Sequence, residues 1–202
     1  MASASPRRAR LLDEAGLSFR VVPSRVEEEE RPGESASALA DRLAREKALD
    51  VAARLGPEPA TRVLGADTIV VLGDEVLGKP RDESHAVELL SRLAGNRHRV
   101  LTGIAVGWSD DRGVLSRVVT TEVTMRKATR QELLEYVALG ESLDKAGGYA
   151  LQGAGSRFVV DVRGSRSNVI GLPLEETLRL LDEAAGLEAD ASPASRQEDL
   201  SR

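Results

Sequence analysis

A carboxylate within an apolar stretch is the first residue that suggests chemistry. Asp67 lies in VLGADTIVVL, whose other residues are typical of a buried strand. An ionised carboxylate in such a place costs several kcal/mol unless a cation or a metal compensates its charge. The alternative is a position at the end of the strand, where Asp67 would accept hydrogen bonds from backbone amides.

Three further charged residues could join Asp67 in one site. Lys47 has helical spacing from the apolar residues of its segment, although its stem could be buried while its ammonium reaches water. Lys79 follows a short strand in LGKP, and Glu28 belongs to VEEEERP. An ordinary surface turn and a solvated acidic face are the alternative explanations for these two residues.

Two arginines stand where a helix disfavours cations. Ser5 suits a helix N-cap and Pro6 suits the first helical position, so Arg7 and Arg8 fall in the first turn. Each cation there costs a few tenths of a kcal/mol because the first turn already carries partial positive charge. A bound phosphate would reverse this, since it accepts hydrogen bonds from guanidinium and backbone donors.

These residues together are the set that phosphate chemistry needs. A polyphosphate requires several cations, one or two carboxylates for a divalent metal, and a base for the attacking water. The candidate cations are Arg7, Arg8, Lys47 and Lys79, and the candidate carboxylates are Asp67 and Glu28. The sequence has no GxxxxGK[ST] loop and no strand–GxGxxG–helix motif, so Walker-type and Rossmann binding are not supported.

Composition excludes several other classes of function. Without cysteine, disulfides, thiolate zinc sites and cysteine nucleophiles are impossible, and two histidines argue against an imidazole metal site or a Ser-His-Asp triad. A net charge of −5 argues against a general nucleic-acid surface. No apolar run approaches the roughly 20 residues of a membrane span, and no secretory signal is evident. We therefore expect a cytoplasmic protein with neither nucleic-acid nor membrane partners.

Apolar periodicity and turn residues predict alternating helices and strands. Helices are expected over residues 8–15, 35–55, 82–93, 129–137 and 173–186, and strands over 17–26, 63–72, 76–77, 99–108, 114–125 and 158–162. The glycine-rich residues 144–157 are expected to form a loop. This alternation predicts one three-layer α/β domain over residues 1–186, with a mixed sheet, and a disordered tail over 187–202.

Six stretches resemble, in order, the signature blocks of the Maf family of nucleoside-triphosphate pyrophosphatases. They are SASPRRARLL, EEEERPGESASALADRLAREKA, VLGADTIVV with VLGKPRD, TTEVTMR, YVALGESLDKAGGYALQGAGSRFV and GSRSNVIGLPL. The resemblance covers about residues 2–181. It implies the elongated α/β fold shared with inosine-triphosphatase-type house-cleaning enzymes, with a cleft between two lobes and commonly a homodimer.

The resemblance also implies an activity. Family members hydrolyse a nucleoside triphosphate between the α and β phosphates, with a divalent metal such as Mg²⁺ or Mn²⁺. Asp67 matches the catalytic acid, usually described as the proton acceptor, and Glu28, Lys47 and Lys79 match the other active-site positions. Asp67 and Glu28 are also the candidate metal ligands, and their division of the two roles stays open.

Within the family, the choice of base differs between branches. Arg7, Thr68 and Gln152 resemble the residue triple of the branch that acts on dTTP and UTP. The Gln152 amide offers an acceptor and two donors, which suit the N3–H and carbonyl edge of uracil or thymine. Alternatively, Gln152 lies in a loop, and its amide forms hydrogen bonds with the backbone there.

Two other functions compete with this hypothesis. One is the same reaction on 7-methyl-GTP or modified nucleotides. The other is a nucleotide-responsive regulator of septum formation, in which binding would matter more than hydrolysis.

The start of the sequence departs from the family pattern. Family members usually have a complete apolar strand before the SASPRR block, where only Met1 precedes Ala2 here. Either the start is assigned too late or the sheet lacks much of one strand.

Overall fold

The sheet and its helices follow the predicted alternation. The computed structural model describes residues 1–56, 61–110 and 112–191. The strands are β1 (Arg62–Leu72), β2 (Glu75–Leu77), β3 (Arg97–Trp108), β4 (Val114–Met125) and β5 (Val159–Arg163). The helices are α1 (Pro6–Glu14), α2 (Ala36–Leu55), α3 (Glu83–Leu93), α4 (Arg130–Val137), α5 (Arg166–Ile170) and α6 (Leu174–Ala191). Two 3₁₀ turns, Ala146–Gly148 and Ala154–Phe158, occupy the predicted glycine-rich loop.

The three-layer α/β architecture is confirmed, but the expectation of a mixed sheet is wrong. The strand order is β2-β1-β3-β4-β5, and each of the four pairings is antiparallel. Two pairs, β1–β2 and β3–β4, are hairpins joined by short turns, which bring consecutive strands together antiparallel. The α2 helix covers one face of the sheet, while α1 and α6 pack against the other. No helix in the described ranges is long and apolar enough to span a membrane.

The strand predicted over residues 17–26 is absent, because its backbone groups have other partners. Pro23 has no N–H, and its carbonyl accepts from Arg54 Nη2 at 2.6 Å. The Arg25 N–H donates to Asp50 Oδ2 at 3.0 Å. Both partners are side chains of α2. Residues 23–25 therefore bond to a helix, while earlier in the segment the Arg20 carbonyl accepts from the Met1 amino group at 2.9 Å and the Val22 N–H donates to the Met1 carbonyl at 3.0 Å.

Two further expectations near the C-terminus need correction. The last helix passes through Gly186 and ends at Ala191, so its predicted end at residue 186 is wrong. The short helix α5 was not predicted at all, and Ser165 caps it by accepting a hydrogen bond from the Asn168 N–H. Residues 192–202 lie outside the described residues, and the tail proposed there stays a prediction.

Glycines let α2 approach the centre of the sheet. A Cβ at Gly65 would lie 2.2 Å from the Ala44 carbonyl oxygen, and one at Gly103 would lie 2.0 Å from that of Ala40. No side chain tolerates such distances, so both positions require glycine. Gly103 stands opposite Asp67 in the β1–β3 register. The close approach therefore brings the helix next to the carboxylate that the sequence singled out.

A buried hydrogen bond attaches the glycine-rich loop to the sheet. His98 of β3 and Tyr149 of the loop share a 2.7 Å contact between Nε2 and the phenolic oxygen. Burial lowers the pKa of His98 to about 4, so its imidazole is neutral at physiological pH. The loop is thus held by a neutral polar pair within the core.

Replacing Gly103 should destabilise the fold through overpacking. We expect Gly103→Ala to lower the free energy of unfolding by about 1–3 kcal/mol, because the helix backbone must move away from β3. Gly107→Ala on the same strand is the matched control, since its Cβ would lie 3.5 Å from Leu49 Cδ2, an ordinary contact distance. Urea unfolding measures both variants, and equal stability of the two would contradict the packing argument.

Candidate active site

All eight predicted site residues line one cleft of about 360 Å³. They are Arg7, Arg8, Glu28, Lys47, Asp67, Thr68, Lys79 and Gln152. The cleft adjoins an edge of β1: Ala2 bonds to Leu64 before it, and pairing with β2 begins at Val70 beyond it. Irregular segments supply most of the remaining lining. The structure thus brings together residues separated by up to 145 positions.

A chain of alternating charges crosses the floor of the cleft. Lys47 Nζ lies 2.6 Å from Asp67 Oδ1 and 2.6 Å from Glu28 Oε1, while Lys79 Nζ lies 2.7 Å from Glu28 Oε2. The side chains of Lys47 and Asp67 are 8% and 9% exposed, whereas those of Glu28 and Lys79 are 41% and 55% exposed. The chain therefore runs from the protein interior to the solvent.

This geometry decides between the alternatives that the sequence left open. Asp67 lies in the middle of β1 and is compensated by a lysine, so it is not an end-of-strand residue bonded to backbone amides. The Lys47 side chain is 8% exposed, and its ammonium binds two carboxylates instead of extending to the protein surface. Lys79 and Glu28 are partly exposed, but they face each other across the cleft instead of belonging to unrelated surfaces.

The ionisation of Glu28 follows from its neighbours. Burial alone would raise the pKa of its carboxyl, but the hydrogen bonds and charges of Lys47 and Lys79 outweigh burial and lower that pKa to about 2. Glu28 is therefore a carboxylate throughout the physiological pH range.

Arg8 has a positioning role that the sequence did not reveal. Its Nε donates to the Gly171 carbonyl at 2.7 Å, and its Nη1 donates to the Ala66 carbonyl at 2.9 Å and to Ser3 Oγ at 3.0 Å. Its Nη2 donates to Thr68 Oγ1 at 3.0 Å. These contacts use four of its five N–H groups, which explains a cation in the first turn of α1 without any ligand. One N–H is left for the predicted phosphate contact.

Arg7 is available at the mouth of the cleft. Its Nη1 lies 3.1 Å from Asp144 Oδ2 on the opposite wall, and the same carboxylate also pairs with Lys145. Ser5 holds the N-cap position of α1, but its side chain caps no helical N–H. The Ser5 side chain therefore leaves backbone N–H groups of the first turn of α1 uncapped. These donors lie beside Arg7, whose ion pair with Asp144 is partly exposed.

Two residues of the cleft were not predicted from the sequence. Asp144 and Lys145 line the cleft, but they belong to the stretch that was interpreted only as a glycine-rich loop. Adjacent opposite charges directly before AGG were the available signal.

The residues expected to select the base differ in their freedom to bind. Thr68 Oγ1 already contacts Arg8 and lies 3.0 Å from Thr102 Oγ1. Gln152 is exposed at the cleft, and within the described ranges its amide makes no hydrogen bond. The structure therefore does not support the alternative, in which the Gln152 amide would bond to the backbone of its loop.

The carboxylates suit a metal that arrives with a phosphate ligand. The described part of the chain contains no group of three or more acidic or histidine side chains able to enclose an ion. Asp67 and Glu28 supply two carboxylates, each already bonded to Lys47. Mg²⁺ commonly takes one or two protein carboxylates and completes its shell with water and substrate phosphates. The residues present therefore fit such an ion.

A cleft with cations at its mouth and paired carboxylates at its floor is typical of proteins that act on phosphate anhydrides. The chain belongs to the Maf family, because the family model described as Maf-like protein matches residues 1–184. It is 47% identical over 181 residues to the dTTP/UTP pyrophosphatase of Escherichia coli O157:H7 and 50% identical over 181 residues to that of Salmonella typhimurium LT2. It is also 48% identical over 184 residues to the dTTP/UTP pyrophosphatase of Yersinia pestis bv. Antiqua. Each match covers 90% of both chains.

Removing the central lysine should cost far more stability than removing the outer one. Lys47→Met leaves the Asp67 carboxylate buried without its cation, so we expect a loss of about 3–5 kcal/mol in unfolding free energy. Lys79→Met removes an exposed pair and should cost at most about 1 kcal/mol. Urea unfolding at neutral pH compares the two variants. Similar losses in both would show that the Lys47–Asp67 contact is not the buried ion pair described above.

Proposed function

We propose that this protein hydrolyses nucleoside triphosphates, dTTP and UTP foremost, to the monophosphate and pyrophosphate. The observation that carries the proposal is Lys47 buried between Asp67 and Glu28 at the floor of a cationic cleft. The activity named for relatives with 46–50% identity supports the same reaction.

Binding of the polyphosphate falls to the outer part of the cleft. Arg7 and Lys79 are partly exposed, and each now pairs with a carboxylate that an incoming phosphate can replace. The uncapped first turn of α1 adds backbone N–H donors. Lys47 is buried and donates two of its three N–H groups to carboxylates, so its task is to hold Glu28 and Asp67 in place.

Asp67 is the better placed proton acceptor. Lys47 and Lys79 occupy both Glu28 oxygens, whereas Asp67 uses Oδ1 alone and has no donor on Oδ2 among the described residues. In the proposed step, a water oxygen bonds to the α phosphorus, its proton passes to Asp67 Oδ2, and the bond to the bridging oxygen breaks. The bridging oxygen leaves with pyrophosphate. A divalent cation such as Mg²⁺ or Mn²⁺, held by Asp67 and Glu28, would neutralise charge on the phosphates.

Gln152, Arg7 and Thr68 would select the base. The free Gln152 amide can donate to a pyrimidine carbonyl and accept from N3–H. Selectivity for dTTP and UTP over 7-methyl-GTP rests on this pairing. The cytoplasmic location, the homodimer and the absence of nucleic-acid and membrane partners stay predictions.

Removing the proton acceptor should abolish most turnover. We expect Asp67→Asn to lower kcat by about 10²–10⁴-fold, the usual contribution of a general base, while the fold is retained. Pyrophosphate release from dTTP with Mg²⁺ and with Mn²⁺ measures the effect, and Asp161→Asn on β5 is the surface control. Near-normal turnover in Asp67→Asn would contradict the assignment. Tight nucleotide binding with negligible turnover by the unaltered protein would favour the regulator instead.

Changing Gln152 should alter the choice of base more than the chemistry. For Gln152→Leu we expect kcat/KM for dTTP and UTP to fall by about 10–200-fold, because a polar edge of the base loses its partner. Values for purine triphosphates should change much less. Gln131→Leu is the control, since Gln131 bonds to Glu135 on α4. An equal loss on every nucleotide of the panel would exclude base selection by Gln152.

A further inference from the structure

The α2 helix holds the irregular segment that carries Glu28. Along residues 23–34, which contain neither helix nor strand, the anchors are side chains of α2. Arg54 contacts the Pro23 carbonyl and Asp50 accepts from the Arg25 N–H, as described above. Lys47 binds the Glu28 carboxylate. Glu46 binds Arg31 at 2.9 Å, and Arg42, five residues before Lys47, provides a further anchor.

Arg42 has an extensive set of contacts to this segment. Its Nε and Nη2 each donate to the Glu34 carboxylate at 2.7 Å, a bidentate pair. Its Nη2 also donates to the Glu29 carbonyl at 2.9 Å, and its Nη1 donates to Glu46 at 3.0 Å. The Arg42 side chain is 15% exposed. Three of the four contacts thus leave the helix and reach the segment.

The Glu28 carboxylate needs such an anchor. Its side chain is 41% exposed, and its partner Lys79 is more exposed still. Exposed ion pairs barely offset the entropy of ordering two long side chains. The segment has no strand ladder that would fix the backbone at Glu28. Arg42 binds the carbonyl of Glu29, the residue that directly follows Glu28, and so holds the backbone beside the carboxylate.

We propose that Arg42 is a positioning residue for the reaction, which holds the backbone beside Glu28 so that this carboxylate meets both Lys47 and Lys79. The inference rests on the proposed function for its kinetic consequence. Its structural consequence is independent, because the arrangement of Glu28 can be observed without substrate. A helix-stabilising role explains only the contact to Glu46, one turn away on α2.

The test compares Arg42→Gln with Arg45→Gln. Arg45 lies on the same helix, and its ion pair is with Asp41 of that helix, at 3.9 Å. The first readout is the position of the Glu28 carboxylate in crystal structures of the nucleotide-free variants. In the unaltered protein this carboxylate lies 2.6 Å from Lys47 Nζ and 2.7 Å from Lys79 Nζ. We expect Arg42→Gln to break at least one of these contacts, because the backbone beside Glu28 loses its anchor, and Arg45→Gln to keep both.

The second readout is kinetic. We expect kcat for dTTP to fall by roughly 10–100-fold in Arg42→Gln, as for other small misplacements of catalytic groups, with KM changed by less than about threefold. Glu34→Gln keeps Arg42 but weakens its bidentate pair, and should give smaller changes in the same directions. If Arg42→Gln does not fold, Glu34→Gln alone tests the proposal by the same two readouts.

The outcomes separate the two proposals. Glu28 contacts to both lysines that persist in folded Arg42→Gln and in Glu34→Gln, with kcat equal to that of Arg45→Gln, would overturn the positioning role. A displaced Glu28 in a protein whose unaltered form releases no pyrophosphate would support the positioning of Glu28 and refute the proposed reaction. A displaced Glu28 with lowered kcat supports both.

Discussion

The contact between Lys47 and Asp67 is the interaction on which the rest of the structure depends. Two buried charges are tolerable only when they meet at hydrogen-bonding distance, because their desolvation is otherwise uncompensated. The helix that carries Lys47 must therefore lie almost against the strand that carries Asp67. The glycines at positions 65 and 103 and the alanines of α2 that face them permit this approach. The same close approach of α2 to the sheet therefore packs the core and places the two charged residues of the site.

The same helix also organises the exposed half of the site. Its apolar face packs on the sheet, while Arg42, Lys47, Asp50 and Arg54 bind an irregular segment that could not hold itself in place. On the other face of the sheet, Arg8 joins α1 to β1 and to the end of α5. Rigid elements thus carry the buried residues of the cleft, and the residues at its mouth, apart from Arg7 of α1, lie on loops that contact them. Such an arrangement combines fixed catalytic geometry with an adaptable entrance.

The sequence predicted the long elements well because their signals are local. The apolar period of α2, the hairpin turn after β1 and the capping box of α4 each act within a few residues, and the structure shows all three. The strand over 17–26 was mispredicted because side chains of α2 and the backbone of Met1, all distant in sequence, take its hydrogen bonds. The antiparallel order of the sheet likewise depends on long-range pairing that no local pattern encodes. The conflict of Asp67 and Lys47 with their apolar surroundings was visible in sequence, whereas the hydrogen bonds of Arg8 to Gly171 and Ala66, distant in sequence, were not.

In the proposed reaction the cleft directs water to the α phosphorus of a nucleoside triphosphate. Hydrolysis of dTTP in ¹⁸O-labelled water, followed by mass spectrometry of the products, tests this site of attack directly. We expect one labelled oxygen in the thymidine monophosphate and unlabelled pyrophosphate. Label in pyrophosphate, or in inorganic phosphate released alongside the diphosphate, would place the attack on another phosphorus and refute the proposed reaction.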